Sequence, residues 1–96
     1  MIFVIDHEGR FFCNDNKWRS YSSFGTSRGC VKEYRKLGWA ENRAEKEKAR
    51  VVVLPSEVSI NMAGRITKEV PCPDKPNHHT IEELPISSFV VYSKGR

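Results

Sequence analysis

No apolar run of roughly 18 residues occurs in this chain, so no segment is expected to cross a membrane as a helix. The start, MIFVIDHEG, lacks a basic n-region and a small-residue cleavage site, so it is not expected to act as a signal peptide. Cysteine is scarce: Cys13, Cys30 and Cys72 make an odd number with no framework spacing. That favours reduced thiols and a cytoplasmic setting over a disulfide-stapled scaffold, while one bridge plus a free thiol also fits the count. No CxxC pair exists, and Cys72 with His78 and His79 matches no common zinc spacing, so neither metal nor other cofactor is expected. The GxSxG, HExxH, phosphate-loop and dinucleotide fingerprints are missing as well. Asp6, His7 and Glu8 are neighbours at a hairpin tip and splay apart, and adjacent Glu82 and Glu83 suit a helix N-terminus better than a catalytic pair. Cys30 has Arg28 and Lys32 beside it, but it also falls on an apolar stripe where a structural thiol belongs. No catalytic residue is assigned and no enzymatic activity is expected.

What is present is the composition of a folded chain, 39% hydrophobic and 29% charged, and 96 residues suit one domain. The formal charge of +4 is uneven: residues 1–50 hold eleven Lys and Arg against seven Asp and Glu, and residues 51–96 hold five of each. Much of the excess lies in KWRSYSSFGTSRGCVKEYRK, residues 17–36, where six cations face one acid and Trp18, Tyr21, Phe24 and Tyr34 are interleaved.

The pattern of apolar runs and turn residues predicts a hairpin first. IFVI and RFFC flank Asp6-His7-Glu8-Gly9, giving strands over about 2–6 and 10–14 that end at Asn14-Asp15-Asn16. A helix is expected next, capped by Thr26 or Ser27 and stopped at Gly38, with Cys30, Val31, Tyr34 and Leu37 on one face. Its stripe would bury against Ile2, Val4, Phe11 and Val52, leaving Arg28, Lys32, Arg35 and Lys36 outward. AENRAEKEKAR has no apolar face beyond its alanines and reads as a helical extension or a solvated connector. Arg50–Leu54 is a β-branched strand ending at Pro55; Val58, Ile60 and Met62 alternate, Asn61–Gly64 turn, and Ile66 with Val70 return. PCPDKPNHH, residues 71–79, is expected to be a proline-rich loop, Thr80–Leu84 a single helical turn, and Ser88–Tyr92 a closing strand. The fold class is therefore α+β in two layers, a mostly antiparallel sheet with one amphipathic helix on one face. A ββαβ core over 1–54 is extended by further strands over 55–96 within a single domain.

The basic-aromatic stretch is the strongest chemical signal. Phosphates are gripped by Lys and Arg repeated along a face, and unpaired bases stack on aromatic rings. The candidate binding residues are Lys17, Trp18, Arg19, Tyr21, Arg28, Lys32, Arg35 and Lys36. Two readings stay open: a surface over residues 17–39 that contacts nucleic acid or a nucleic-acid-containing complex, and a merely solvated helix face with Trp18, Phe24 and Trp39 in the core. On the second reading the chain binds protein through a strand edge or the 71–79 loop, or meets an acidic protein surface.

The hairpin around DHEGR, the Trp-bearing KWRSYSSF, the helix-like SRGCVKEYRKLGW and the strand RVVVLP together resemble the layout of small phage and prophage accessory proteins. Anti-CRISPR-type inhibitors are among these, and the likeness covers residues 1–54. It implies a non-catalytic protein that binds and blocks a host complex. Many such inhibitors are acidic mimics of nucleic acid, and the basic charge of this chain departs from that pattern.

Overall fold

The computed structural model describes residues 1–95. The first hairpin forms where the turn chemistry places it. β1 (Ile2–Ile5) and β2 (Phe11–Phe12) pair antiparallel, with Ile5 opposite Phe11. The Asp6 carboxylate accepts from the Glu8 and Arg10 amides at 2.9 and 2.7 Å, and Gly9 takes φ +82°, where a side chain would be strained. Burial pushes the Asp6 carboxyl up, but those amides and the Arg10 guanidinium outweigh it and hold the group below its ordinary value. The turn at Asn14–Asn16 leads into a short return strand, β3 (Trp18–Arg19), that the sequence pattern does not announce.

β4 (Arg50–Val53) lies antiparallel to β1, with Phe3 opposite Val52 and Val4 opposite Val51. β8 (Val90–Ser93) adds to its other side after a 3-10 turn at Ile86–Phe89. The five-stranded order is β3-β2-β1-β4-β8, and a second, three-stranded sheet has the order β5-β6-β7. Its members are β5 (Val58–Ile60), β6 (Ile66–Cys72) and β7 (Lys75–Leu84). Among the described residues one α-helix forms, α1 (Leu37–Glu47), and it packs on one face of the larger sheet. The α+β class and the single helix against an antiparallel sheet are what the chain forms.

The alternation of strand side chains sorts the core onto two faces. Val4, Phe12 and Val51 meet Ala40 and Ala44 of the helix, with Tyr34 and Ala49. Phe3, Ile5, Phe11, Cys13 and Val52 point the other way, toward Val31, Leu54, Val58 and Ile66. On this second face Phe3, Phe11, Tyr21 and Phe24 form a ring cluster with centroids 5.3 to 5.8 Å apart. The larger sheet is thus covered on both sides, by the helix on one and by the 20–31 segment with the base of the second sheet on the other.

The helix does not lie where the sequence pattern puts it. Residues 25–30 bend and turn, and residues 31–34 lie along the sheet, with isolated bridges from Val31 to Cys13 and Phe24 and from Tyr34 to Ile2. The backbone there is bound to the hairpin: Lys32 N–H donates to Phe12 O at 3.0 Å, Asn14 N–H to Cys30 O at 3.0 Å, and Tyr34 N–H to Ile2 O at 2.8 Å. A spacing of three puts two residues on one face of a helix but on opposite faces of an extended chain. Val31 accordingly enters one core cluster and Tyr34 the other. Gly25 and Gly29, each costing a helix about 1 kcal/mol, tilt this segment away from helix. Leu37 is 40% exposed rather than on a buried stripe, and Cys30, expected on that stripe, is only half-buried, whereas Cys13 is buried.

The helix instead forms in the segment whose only apolar face is alanine. Ala40 and Ala44, one turn apart, are fully buried, and their small side chains let the helix axis sit close to Val4, Phe12 and Val51. It ends at Lys48, left-handed at φ 53°, whose neighbour Ala49 donates back to Ala44 O at 2.8 Å.

Residues 71–79 are likewise no loop. β6 and β7 make one long ribbon, paired from Ile66 opposite Leu84 to Pro71 opposite His79, and Pro73-Asp74 turn between Cys72 and Lys75. The expected helical turn at Thr80–Leu84 is part of β7. Proline is barred from central strands because it removes a ladder donor, yet both strands of a bare ribbon are edges and accommodate it. The ribbon carries the molecule to 48 Å along its longest axis and the Cα radius of gyration to 14.6 Å, against about 12–13 Å for a compact chain of this length.

Candidate functional site

The eight residues singled out from the sequence do not share one face. Lys17, Trp18 and Arg19 lie at β3, the outer strand beside β2. Trp18 packs edge-on against Phe12 with centroids 5.0 Å apart, and Arg19 binds the Asp15 carboxylate at 2.6 Å. That guanidinium lowers the Asp15 carboxyl to about 2. Tyr21 belongs to the ring cluster on the far face of the sheet. Arg28 is exposed in the loop, whose backbone oxygen at that residue accepts from Asp15 N–H at 3.0 Å. Trp18 and Tyr21 are therefore engaged by other rings of the chain, and Arg19 by a carboxylate.

Lys32, Arg35 and Lys36 do come together, with partners from the helix. A groove of about 460 Å³ is lined by Lys32, Glu33, Tyr34 and Arg35 on one side and by Trp39, Asn42, Arg43 and Lys46 on the other. The helix residues fall at spacings of three and four, which puts them on one stripe beside the Ala40–Ala44 contact. Trp39 is 55% exposed, an unusual position for the largest apolar side chain, and the Lys36 ammonium stands 5.1 Å from its ring centre. Lys32 lies 5.3 Å over the Tyr34 ring, and Arg43 lies 5.4 Å over Phe12 and 3.7 Å from Glu47. Among the described residues the ion pairs engage Arg10, Arg19, Arg43 and Arg65; Lys32, Arg35, Lys36 and Lys46 are in none of them.

Beneath the groove the Tyr34 hydroxyl is buried without a hydrogen-bond partner among the described residues, and burial pushes its pKa up while Arg43 pulls it down. Lys36 precedes the helix in an extended conformation and offers it no side-chain cap, and no acid stands in the first turn. The positive end of the helix dipole therefore adds to the cationic field at Trp39. A second depression of about 510 Å³, lined by Asn14, Gly25, Thr26, Lys32, Glu33 and Arg35, shares three residues with the groove. Lys32, Glu33 and Arg35 thus form a ridge between two hollows.

Elsewhere the chemistry is different. His7 Nε2 is 2.7 Å from the Lys94 carbonyl oxygen, beside a mixed-charge hollow that includes Asp6, Glu8, Arg10, Trp18, Glu47 and Lys48. His78 and His79 lie on β7 and Cys72 at the end of β6, and among the described residues no three His, Cys, Asp or Glu side chains gather as a metal site. Among the described residues no helix is long and apolar enough to cross a membrane.

Sequence reasoning missed Trp39, Asn42, Arg43 and Lys46 as partners of Lys32 and Arg35, because it gave the basic face to the wrong helix. The available signal was Trp39, Arg43 and Lys46 at spacings of four and three around two alanines. No family model matches the chain, and neither a curated protein nor a solved structure matches it.

Proposed function

We propose that the protein is a non-enzymatic binding module that contacts nucleic acid, free or within a protein complex, through the groove between residues 32–36 and α1. The observation that carries this reading is Trp39, half out in solvent with Lys36 on its ring and, around it, Lys32, Arg35 and Lys46 in none of the ion pairs among the described residues. A solvated helix face explains cations but not an exposed indole among them. The indole costs solubility, and it is the type of side chain on which bases stack. The surface is narrower than the 17–39 stretch and shifted toward the helix. A role as an inhibitor of a host system, implied by the layout resemblance, would place this groove on nucleic acid exposed within the target complex.

The test is the double substitution Arg35→Glu with Lys46→Glu. Both side chains are exposed, so each should alter stability by no more than about 0.5 kcal/mol. Affinity for nucleic acid should collapse, and the log–log salt slope should fall by roughly one unit per phosphate contact removed. Parental binding by the folded double variant refutes the groove.

A second reading has its own observation. β7 presents an unpaired outer edge over 10 residues, and Ile81 on it is 73% exposed. An open edge can add a strand from another protein. The ribbon carries Lys68 and Lys75 against Glu69, Asp74, Glu82 and Glu83, so it is not suited to a polyanion. Binding that survives the Arg35/Lys46 double substitution, resists salt, and is lost when the ribbon is trimmed favours this reading.

A further inference from the structure

Resting on the groove reading, we infer that the ligand is single-stranded nucleic acid, with one unpaired base stacked on Trp39 and the strand crossing the Lys32–Arg35 ridge into the hollow at Asn14 and Thr26. Three observations converge on this.

The first is the ring itself. In a duplex the base faces are occupied by neighbouring pairs, so an indole beside it meets sugar, phosphate and base edges but no free base face. The exposed ring is matched by a base that has lost its stack. Lys36 at 5.1 Å adds a cation that can pair with a phosphate next to that base.

The second is the placement of charge. A polyanion without bases would need only cations, and it would be satisfied by Lys17, Arg28 or any basic patch. Here the cations surround an aromatic ring and a side-chain amide, Asn42, which can donate to and accept from the edge of a base. A volume of about 460 Å³ falls within the roughly 300–1,000 Å³ of sites that enclose small organic groups, whereas a phosphate needs no hollow of that size.

The third is continuity. Lys32, Glu33 and Arg35 line both the groove and the neighbouring hollow, so a strand seated at Trp39 has a second hollow directly beyond the ridge. Glu33, the one acid there, sits where it would oppose phosphates crowding the ridge and favours a base or sugar beside it. The wall of the second hollow is held by Asn14, whose amide donates to the Gly25 and Ser27 carbonyls at 2.7 and 2.8 Å. This side of the track is therefore ordered before any ligand arrives.

The experiment uses the full chain, a short oligothymidylate, the same strand annealed to its complement, and heparin as a base-free polyanion. Trp18→Phe serves as the background, so that fluorescence reports Trp39 alone. Oligothymidylate should quench that fluorescence, and Trp39→Ala should weaken its binding by roughly 5- to 100-fold while leaving heparin binding unchanged. Trp39→Phe should keep most of the affinity. The exposed position of Trp39 makes these variants safe for folding, and circular dichroism checks it. Equal binding of single strand and duplex, with no effect of Trp39→Ala on either, overturns this inference and leaves the groove reading intact. Failure to bind any of the three probes overturns both.

Discussion

In the five-stranded sheet, each side chain of β1 has a covered side to enter. Phe3 and Ile5 go toward the ring cluster and the second sheet's base, and Val4 goes toward the helix. In the β6–β7 ribbon, among the described residues, only Ile66 and Leu84 reach the core, and those beyond them are exposed or half-exposed. Both are paired continuously, β1 with β4 throughout and the ribbon from Ile66 to Pro71 before its register shifts at Cys72, so hydrogen bonding does not set them apart. Burial does. Two-stranded ribbons are marginal in water by themselves, and this one is tethered at its base by a few apolar side chains. The cationic groove belongs to the well-packed region, where Tyr34 lines it and Arg43 rests over the buried Phe12 ring; the ribbon projects beyond the packed core.

Phe12→Ala should break the packed region most severely. Phe12 is fully buried between Trp18 and Arg43, and truncating such a ring costs about 3–5 kcal/mol. That is a large part of the roughly 5–15 kcal/mol that holds a domain together, so the denaturant midpoint should fall sharply. The groove should fail with it, since Arg43 rests on that ring. A stability change below about 1 kcal/mol would show that the helix face is not packed as described.

The joint between the regions can be probed at Gly64, in the turn before β6. It takes φ +78°, and a Cβ there would stand 2.8 Å from Tyr21 Cβ, backbone-proximal on its neighbour and unable to swing aside. Gly9 has φ +82° and nothing within 4 Å of such a Cβ. Gly9→Ala therefore carries only the left-handed cost of about 1–2 kcal/mol. Gly64→Ala should exceed it, at about 2–4 kcal/mol, because the turn must also move off the Tyr21 loop. Equal losses for the two in thermal unfolding would mean that the ribbon's base is not seated there.

The smallest effect is expected from trimming the ribbon. Lys68 and Glu82 are paired across it, so an Asn-Gly turn joining them removes everything beyond. Stability should change by no more than about 0.5 kcal/mol, and binding of nucleic acid at the groove should persist. A loss comparable to that of Phe12→Ala would show that the ribbon supports the sheet.

Part of the candidate groove was legible in the chain. The density of Lys and Arg in 17–36 pointed to Lys32, Arg35 and Lys36, because charge clustering survives any choice of secondary structure. The rings were assigned less well. Trp18, Tyr21 and Trp39 look alike in a sequence, and only their neighbours decide which is covered: Phe12 covers Trp18, Phe11 and Phe24 surround Tyr21, and Trp39 stays out.

The elements that the amino-acid sequence determined alone are those whose cause is local. Asp6 and Gly9 make the first turn, Asn61 and Gly64 the one before β6, and the β-branched run at Val51–Val53 the interior strand β4. Their causes are torsional preference and side-chain hydrogen bonds that span a few residues. The helix position and the ribbon were decided by tertiary structure. Val31 and Tyr34 are compatible with one helix face or with two sheet faces, and what chose the sheet was the presence of Phe12 and Ile2 carbonyls to receive the Lys32 and Tyr34 amides. Ala40 and Ala44 acquire an apolar role only when Val4, Phe12 and Val51 lie beneath them. Prolines 71 and 73 fit a ribbon only because no third strand needs their missing N–H groups. In each case the deciding contact joins residues far apart in the chain, where local preference has no reach.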